Sequence, residues 1–131
     1  MSTQKQFKRF FLVGLLAFSS DIASYYFFTA LGMNLNIAKG TSFVIGTLLG
    51  YLLNTKYTFE KSQFSSNTLT KYLTVYLCSM ILNVTVNIFS IKLLAMILAN
   101  DNSTKFFAVI MATGVSMIFN FVSLKYYVYK K

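Results

Sequence analysis

The chain has no histidine and no tryptophan, and it has only one cysteine, Cys78, and three acidic residues. One cysteine cannot form an internal disulfide, and without histidine a structural zinc site has no ligand set. The three carboxylates, Asp21, Glu60 and Asp101, are expected at three different depths, so no pair is available for general acid–base catalysis. A glycine-rich nucleotide-binding loop is missing as well. We therefore expect a protein that is not an enzyme and that uses no metal and no cofactor.

Charged residues are also scarce. They make up 11% of the 131 residues, whereas apolar residues make up 56%. A soluble domain carries roughly 25% charged residues, and so small a fold buries only a limited share of its surface. Lipid has to cover the apolar exterior, so the sequence predicts an integral membrane protein with a single domain over residues 1–131.

The few charges are mostly basic, which gives a net charge of +9. Proteins that bind nucleic acid collect their basic residues on one solvated face. Here the basic residues fall at the ends of apolar runs, where membrane topology requires them. We therefore expect no nucleic-acid partner.

Four apolar segments are long enough to cross the bilayer, which takes about 20 helical residues. Helices are expected because lipid offers no partner to free backbone groups, and the alternation of a membrane barrel is missing. The predicted fold is all-α, a polytopic membrane protein with four transmembrane helices. The predicted spans are residues 10–31, 38–56, 72–93 and 105–124.

The distribution of Lys and Arg predicts the orientation of these spans. Nine lie at the two termini and in the middle loop, and three, Lys39, Lys92 and Lys105, lie on the other side. Short cytoplasmic loops are enriched in positive residues, so we expect a multi-pass protein of the cell membrane with both termini in the cytoplasm. Lys39 and Lys92 are expected to snorkel at the outer ends of their spans.

The two halves of the sequence resemble each other. "RFFLVG" at 9–14 matches "KYLTVY" at 71–76 with an offset of 62, and this offset places Asp21 opposite Asn83. Each lies roughly 16 Å into its span, near the bilayer midplane. Because each half contributes two spans, both enter the membrane from the same side, which predicts two parallel two-helix repeats.

The second helices of the two halves align with an offset of 70. A polar and small-residue stripe in the first half then matches a stripe in the second: Ser42, Gly46, Gly50 and Asn54 against Ala112, Ser116 and Asn120. Small residues at this spacing let helices approach closely, and we interpret Gly46 and Gly50 as packing residues. Asn54 and Asn120 are different, because an amide inside a membrane needs hydrogen-bond partners.

The repeats end in related signatures, "NTKYTF" at 54–59 and "LKYYVY" at 124–129. With "RFFLVG" shortly before a membrane "SSD", and with "GTLLGYLLNTKYTF" closing the second span, the chain resembles the GtrA-like family of small four-helix membrane proteins. The resemblance runs from about Phe7 to Tyr129. It departs at Lys56 and Tyr57, where the family often has Arg and Trp.

This resemblance implies translocation of a polyprenyl-phosphate-linked sugar from the cytoplasmic to the outer leaflet. The sugar would serve the glycosylation of cell-surface polysaccharide or teichoic acid, and the protein would work beside a membrane glycosyltransferase. Four thin helices are few to enclose a path for a head group, which favours a homodimer or a complex.

Two groups of candidate residues follow from this expectation. Cations at the cytoplasmic boundary would receive the lipid phosphate and aromatic rings would stack on the sugar, although positive-inside topology with an aromatic belt gives the same pattern. This lipid-phosphate and interface group comprises Arg9, Lys56, Tyr57, Lys71, Lys125 and Tyr127. The polar membrane site for the substrate comprises Asp21, Ser20, Ser24, Asn83, Asn54 and Asn120.

Asp21 is the charged member of the polar membrane site. A charge at the centre of a membrane helix costs about 2.5 to 3.5 kcal/mol and is usually kept only where it faces the bundle interior or a wet cavity. Either Asp21 binds sugar hydroxyls or a proton on a translocation path, or it bonds to Asn83 and ties the repeats together. Two other functions stay open: a non-transporting membrane anchor for a glycosyltransferase, and a small proton-coupled multidrug antiporter.

Overall fold

The computed structural model describes residues 2–61, 64–98 and 101–130. Four α-helices account for most of them: α1 Thr3–Ala30, α2 Leu35–Leu53, α3 Ser66–Ala95 and α4 Asp101–Ser123. Both α2 and α4 continue directly into a π-helical turn, Asn54–Thr58 and Leu124–Val128. The described residues form no strand, which confirms the predicted all-α class.

Polar residues define where the helices begin. The side chains of Ser2, Asn34 and Ser65 each accept a hydrogen bond from a backbone N–H of the helix that follows, which satisfies a donor that the first turn would otherwise leave open. At the other end of α1, Gly32 has φ +82°, a left-handed conformation that glycine adopts at little cost. This turn leads the chain directly into α2.

Three of the helical segments in the described part of the chain are long and apolar enough to cross a membrane: Thr3–Ala30, Ser66–Ala95 and Asn102–Val128. α2, with 19 residues, is not among them, so its role as the fourth span stays a prediction, as does the orientation of the termini. α1 and α3 both begin several residues before their predicted spans. The stretch "KLLA" at 92–95 continues α3.

The chain divides into two compact units, unit 1 over Met1–Phe64 and unit 2 over Ser65–Lys131. The boundary falls between the two predicted repeats. In unit 1, α1 packs against α2, and in unit 2, α3 packs against α4. Each pair is an antiparallel helical hairpin, the simplest way for two consecutive helices to pack together.

Buried side chains occupy equivalent positions in the two units. With the offset of 62, buried Phe10 and Val13 of α1 correspond to buried Tyr72 and Val75 of α3. The offset of 70 likewise relates three pairs of buried residues: Ala38 and Ala108, Tyr51 and Phe121, Phe59 and Tyr129. Each hairpin therefore packs through the same set of positions.

Large apolar side chains cover the outside of the helices. Examples are Leu12 and Phe18 on α1, Ile81 and Phe89 on α3, and Phe106 on α4, all more than half exposed. A soluble monomer rarely exposes apolar patches of such extent. The surface is that of a helical membrane protein, whose lipid-facing side chains are apolar.

Candidate functional site

The carboxylate of Asp21 on α1 is held by two side chains of α2. Lys39 Nζ donates to Asp21 Oδ2 at 2.7 Å, and Ser42 Oγ donates to Asp21 Oδ1 at 2.6 Å. Lys39 and Ser42 are three residues apart and so lie on one face of α2. The Asp21 side chain is 14% exposed and that of Lys39 is 57% exposed. This group of three residues, the ion-pair cluster, therefore has a half-buried carboxylate and an accessible ammonium.

Gly46 brings α1 close enough for these bonds to form. A Cβ atom at this position would lie 2.9 Å from the Ala17 carbonyl oxygen and 3.0 Å from Asp21 Cβ. Gly46 follows Ser42 by one helical turn, so the closest approach of the two helices lies beside the ion-pair cluster. The structure thus supports the interpretation of Gly46 as a packing residue.

Lys39 corrects one expectation. It was predicted to snorkel towards the outer interface, but its ammonium is bonded to Asp21 instead. The reason is that a carboxylate within reach gives the ammonium a charged partner, and each of two opposite charges lowers the cost of the other in apolar surroundings. Lys39 and Ser42 were both missing from the predicted polar membrane site. A lysine in one apolar span and an aspartate in the next are the signal that could have identified the pair.

The other members of the polar membrane site in unit 1 have different surroundings. Ser20 and Ser24 are half-buried on α1, and the bonds of the Asp21 carboxylate go to α2 rather than to these neighbours. Asn54 is fully buried, and its Oδ1 accepts a hydrogen bond from Thr58 Oγ1 at 2.9 Å. The structure therefore places Asn54 inside the π-helical turn, where it has a local partner.

Unit 2 has a different polar interior. At the positions equivalent to Asp21, Lys39 and Ser42 it carries Asn83, Val109 and Ala112, so it has no equivalent ion pair. Asn83 is half-buried on α3 and Asn120 is half-buried on α4. The proposed bond from Asp21 to Asn83 would join the two units and stays a prediction.

Some buried oxygens of unit 2 have no hydrogen-bond partner among the residues that the structure describes. They are Asn87 Oδ1 on α3 and Ser116 Oγ and Asn120 Oδ1 on α4. Ser116 and Asn120 are one turn apart and belong to the stripe that aligns with Gly46 and Gly50 of unit 1. Asn120 is therefore a half-buried amide of this hairpin whose acceptor has no partner among the described residues, and its place in a substrate site stays a prediction.

Arg9, near the start of α1, contacts the π-helical turn that follows α2 in unit 1. Arg9 Nη1 donates to the Tyr57 carbonyl oxygen at 2.7 Å and to Glu60 Oε1 at 2.7 Å. Lys56 Nζ lies 5.9 Å from the centre of the Tyr57 ring. Three predicted interface residues are thus brought together, with Glu60 as an additional member that sequence reasoning missed.

The same end of unit 2 repeats this arrangement with different chemistry. Lys71 Nζ lies 5.5 Å from the centre of the Tyr127 ring, and Lys125 Nζ lies 5.2 Å from that of Tyr126. The offset of 62 relates Arg9 to Lys71, and the offset of 70 relates Tyr57 to Tyr127. In each unit, the first helix therefore provides a cation that contacts the tyrosine at the same position of the π-helical turn.

The π-helical turns have the same backbone closure in both units. Phe59 N–H donates to the Asn54 carbonyl at 2.9 Å, and Tyr129 N–H donates to the Leu124 carbonyl at 2.8 Å. Each bond spans five residues, the spacing of a π-helix, which is rare and frequent at functional sites. The related signatures "NTKYTF" and "LKYYVY" mark these turns, although their π-helical geometry was not predicted.

Two helical hairpins with apolar outer faces, a polar cluster inside one of them and a cation–tyrosine contact in each define a small all-α membrane domain. Residues 9–129 match the family model described as GtrA/DPMS, transmembrane domain, and the chain belongs to this family. The match confirms the resemblance noted from the sequence. No curated protein and no solved structure matches the chain.

Proposed function

We propose that the protein translocates a polyprenyl-phosphate-linked sugar from the cytoplasmic to the outer leaflet of the cell membrane. The sugar then serves the glycosylation of cell-surface polysaccharide or teichoic acid. Membership of the GtrA/DPMS transmembrane family supports a function in polyprenyl-phosphate-sugar translocation or a related membrane process. The observation that carries the proposal is the ion-pair cluster of Asp21, Lys39 and Ser42 inside an apolar hairpin.

A sugar head group needs hydrogen-bond partners wherever it leaves water, because unpaired hydroxyls in an apolar environment are costly. The ion-pair cluster offers such partners, because Asp21 accepts hydrogen bonds from sugar hydroxyls and the exposed Lys39 ammonium donates to them, while Ser42 holds the Asp21 carboxylate in place. Lys39 is the accessible member of the pair, so a head group reaches the cluster from the side on which the Lys39 ammonium is exposed. Charges inside a membrane helix are costly to insert and commonly mark substrate pathways.

Unit 1 also has cations at two depths. Arg9 and Asp21 are twelve residues apart on α1, which corresponds to about 18 Å along the helix. In the predicted orientation, Arg9 lies at the cytoplasmic boundary and Lys39 lies nearer the outer one. A phosphate moving between the leaflets then finds a positive side chain near each end of its path.

Reconstitution tests this proposal directly. Proteoliposomes carry the full chain and a polyprenyl-phosphate sugar, and the sugar in each leaflet is measured with a membrane-impermeant reagent. The protein is expected to accelerate exchange, and Asp21→Asn and Lys39→Gln are expected to slow it about tenfold or more. No acceleration, with the chain alone or together with its glycosyltransferase partner, would sink the proposal.

The same variants distinguish the two other functions. An anchor for a glycosyltransferase predicts that Asp21→Asn leaves sugar transfer intact, while changes in the loop after α2 abolish assembly of the complex. A proton-coupled antiporter predicts drug efflux that is lost with Asp21→Asn. The ion pair weighs against the antiporter, because a carboxylate held by an ammonium is not an open acceptor for a proton or a cationic drug.

A further inference from the structure

The two cation–tyrosine contacts are built on equivalent positions, so one unit serves as an internal control for the other. We define the unit 1 boundary site as Arg9, Lys56, Tyr57 and Glu60, and the unit 2 boundary site as Lys71, Lys125 and Tyr127. We propose that the lipid phosphate binds at the unit 2 boundary site, on Lys71, and that Glu60 occupies the corresponding anion position in unit 1. This inference rests on the proposed function and assigns the phosphate to one of two repeated sites.

In unit 1 the anion position is filled by the chain itself. Glu60 Oε1 lies 2.7 Å from Arg9 Nη1, and the same nitrogen donates to the Tyr57 carbonyl. An arginine–carboxylate hydrogen bond of this length is a strong, charge-assisted contact. An incoming phosphate has to compete with Glu60 for the Arg9 guanidinium.

The backbone at Glu60 also favours this closed arrangement. Glu60 has φ +53°, in the left-handed region that residues other than glycine seldom occupy. It lies two residues after the end of the π-helical turn, and the Lys61 N–H closes the reversal by donating to the Thr55 carbonyl at 2.9 Å. The turn thus presents the Glu60 carboxylate to Arg9.

In unit 2 the equivalent cation has a neutral partner. Lys71 Nζ lies over the Tyr127 ring, and a cation–π contact orients an ammonium without cancelling its charge. The position equivalent to Glu60 is occupied by Lys130, a residue of opposite charge. Lys125 adds a second positive charge within the same π-helical turn.

Among the residues of unit 2 that the structure describes, no acidic residue lies in or beside this turn. The acidic residue in its sequence is Asp101, which begins α4, while the turn follows the end of that helix. The 23 residues of α4 separate them by about 34 Å. The cation that the first helix provides is thus neutralised by Glu60 in unit 1, whereas in unit 2 the corresponding cation, Lys71, contacts a neutral ring. An anionic head group is therefore attracted more strongly to Lys71 than to Arg9.

A binding measurement on the full chain tests the assignment. The protein is placed in nanodiscs of zwitterionic lipid, and a polyprenyl phosphate is titrated and followed by native mass spectrometry. Lys71→Gln is expected to weaken binding about tenfold or more, since charge-assisted hydrogen bonds are lost. Arg9→Gln is expected to change it less than about threefold, and Lys5→Gln controls for the loss of one positive charge.

Glu60→Gln provides the converse test. It removes the internal anion from Arg9, so a second phosphate-bearing lipid is expected to bind. Lys71→Arg is expected to retain binding, which separates loss of charge from misfolding. Equal losses for Arg9→Gln and Lys71→Gln, or unchanged stoichiometry with Glu60→Gln, would overturn the assignment.

Control lipids in the same binding measurement identify which part of the ligand is recognised. Polyprenol without phosphate should not distinguish the variants. Phosphatidylglycerol in the nanodisc should compete weakly, and full competition would contradict a dedicated polyprenyl-phosphate site. If the wild-type protein binds no polyprenyl phosphate, both this inference and the proposed function fail. If it binds but Lys71 and Arg9 prove equivalent, only the assignment to unit 2 fails.

Discussion

Lys39 Nζ lies 2.7 Å from Asp21 Oδ2, and this ion pair joins the two helices of unit 1 inside an otherwise apolar hairpin. The two partners differ in burial, because the carboxylate is half-buried while the ammonium is more than half exposed. Losing one partner is therefore not equivalent to losing the other. The helix packing beside Gly46 holds the pair together. Substitutions of Asp21 and Lys39 therefore test the charges, and a substitution of Gly46 tests the packing.

The first prediction concerns the two halves of this ion pair. Lys39→Gln leaves a half-buried carboxylate without its counter-ion, whereas Asp21→Asn leaves a lysine that can extend towards the interface. Both are expected to lower the free energy of unfolding by about 1 to 3 kcal/mol, with the larger effect for Lys39→Gln. Denaturation in detergent, followed by circular dichroism, measures both values. In a double-mutant cycle the two losses should not add; additive losses would contradict the pairing.

A second prediction concerns the close approach at Gly46. Gly46→Ala places a methyl group against the Ala17 carbonyl and Asp21 Cβ, so the helices have to separate. We expect a destabilisation of about 1 to 3 kcal/mol and slower sugar translocation. Gly14→Ala is the matched control in α1, because a Cβ there meets nothing within 4 Å and should stabilise the helix by about 0.5 to 1 kcal/mol. Thermal unfolding compares the two, and equal effects would rule out a role for close packing.

The third prediction concerns the hydrogen bond between Asn54 and Thr58, for which the apolar residues of unit 2 provide a control. Asn54→Leu alone leaves the buried Thr58 hydroxyl without the acceptor it has at 2.9 Å, at a cost of about 1 to 3 kcal/mol. Adding Thr58→Val copies Leu124 and Val128 of unit 2, so the Thr58 hydroxyl is no longer left without its acceptor. The double variant is expected to recover much of the lost stability in chemical denaturation. Failure of Thr58→Val to rescue would show that the Asn54–Thr58 bond does not stabilise the turn.

A fourth prediction concerns topology. With Cys78 replaced by serine, single cysteines at Lys5 and Lys130 should react only with reagents that reach the cytoplasmic face, and one at Asn34 only from outside. Nine cations on one side against three on the other predict this orientation. Labelling in intact cells and in inverted vesicles measures it. Opposite accessibility of positions 5 and 130 would contradict an even number of spans and leave α2 outside the membrane.

Much of the fold could be predicted because its causes are local or periodic. The scarcity of charge requires a lipid-facing exterior, and long apolar runs without proline produce long helices. The offsets of 62 and 70 relate positions such as Phe10 and Tyr72, which are buried in both units because a repeated pattern packs in a repeated way. Asp21 was identified from sequence for the same kind of reason, since one carboxylate in an apolar run needs an explanation.

The partners of Asp21 and Arg9 were decided by the tertiary structure. Lys39 follows Asp21 by 18 residues and Glu60 follows Arg9 by 51, so neither pair has a periodicity to reveal it. Gly46 sets the separation of α1 and α2, and the π-helical turn with Glu60 at positive φ brings a carboxylate back to α1. The sequence by itself determined which residues are charged and which apolar runs contain them. Only the packing of the hairpins decided which charges meet, because contact depends on interhelical distance and turn geometry.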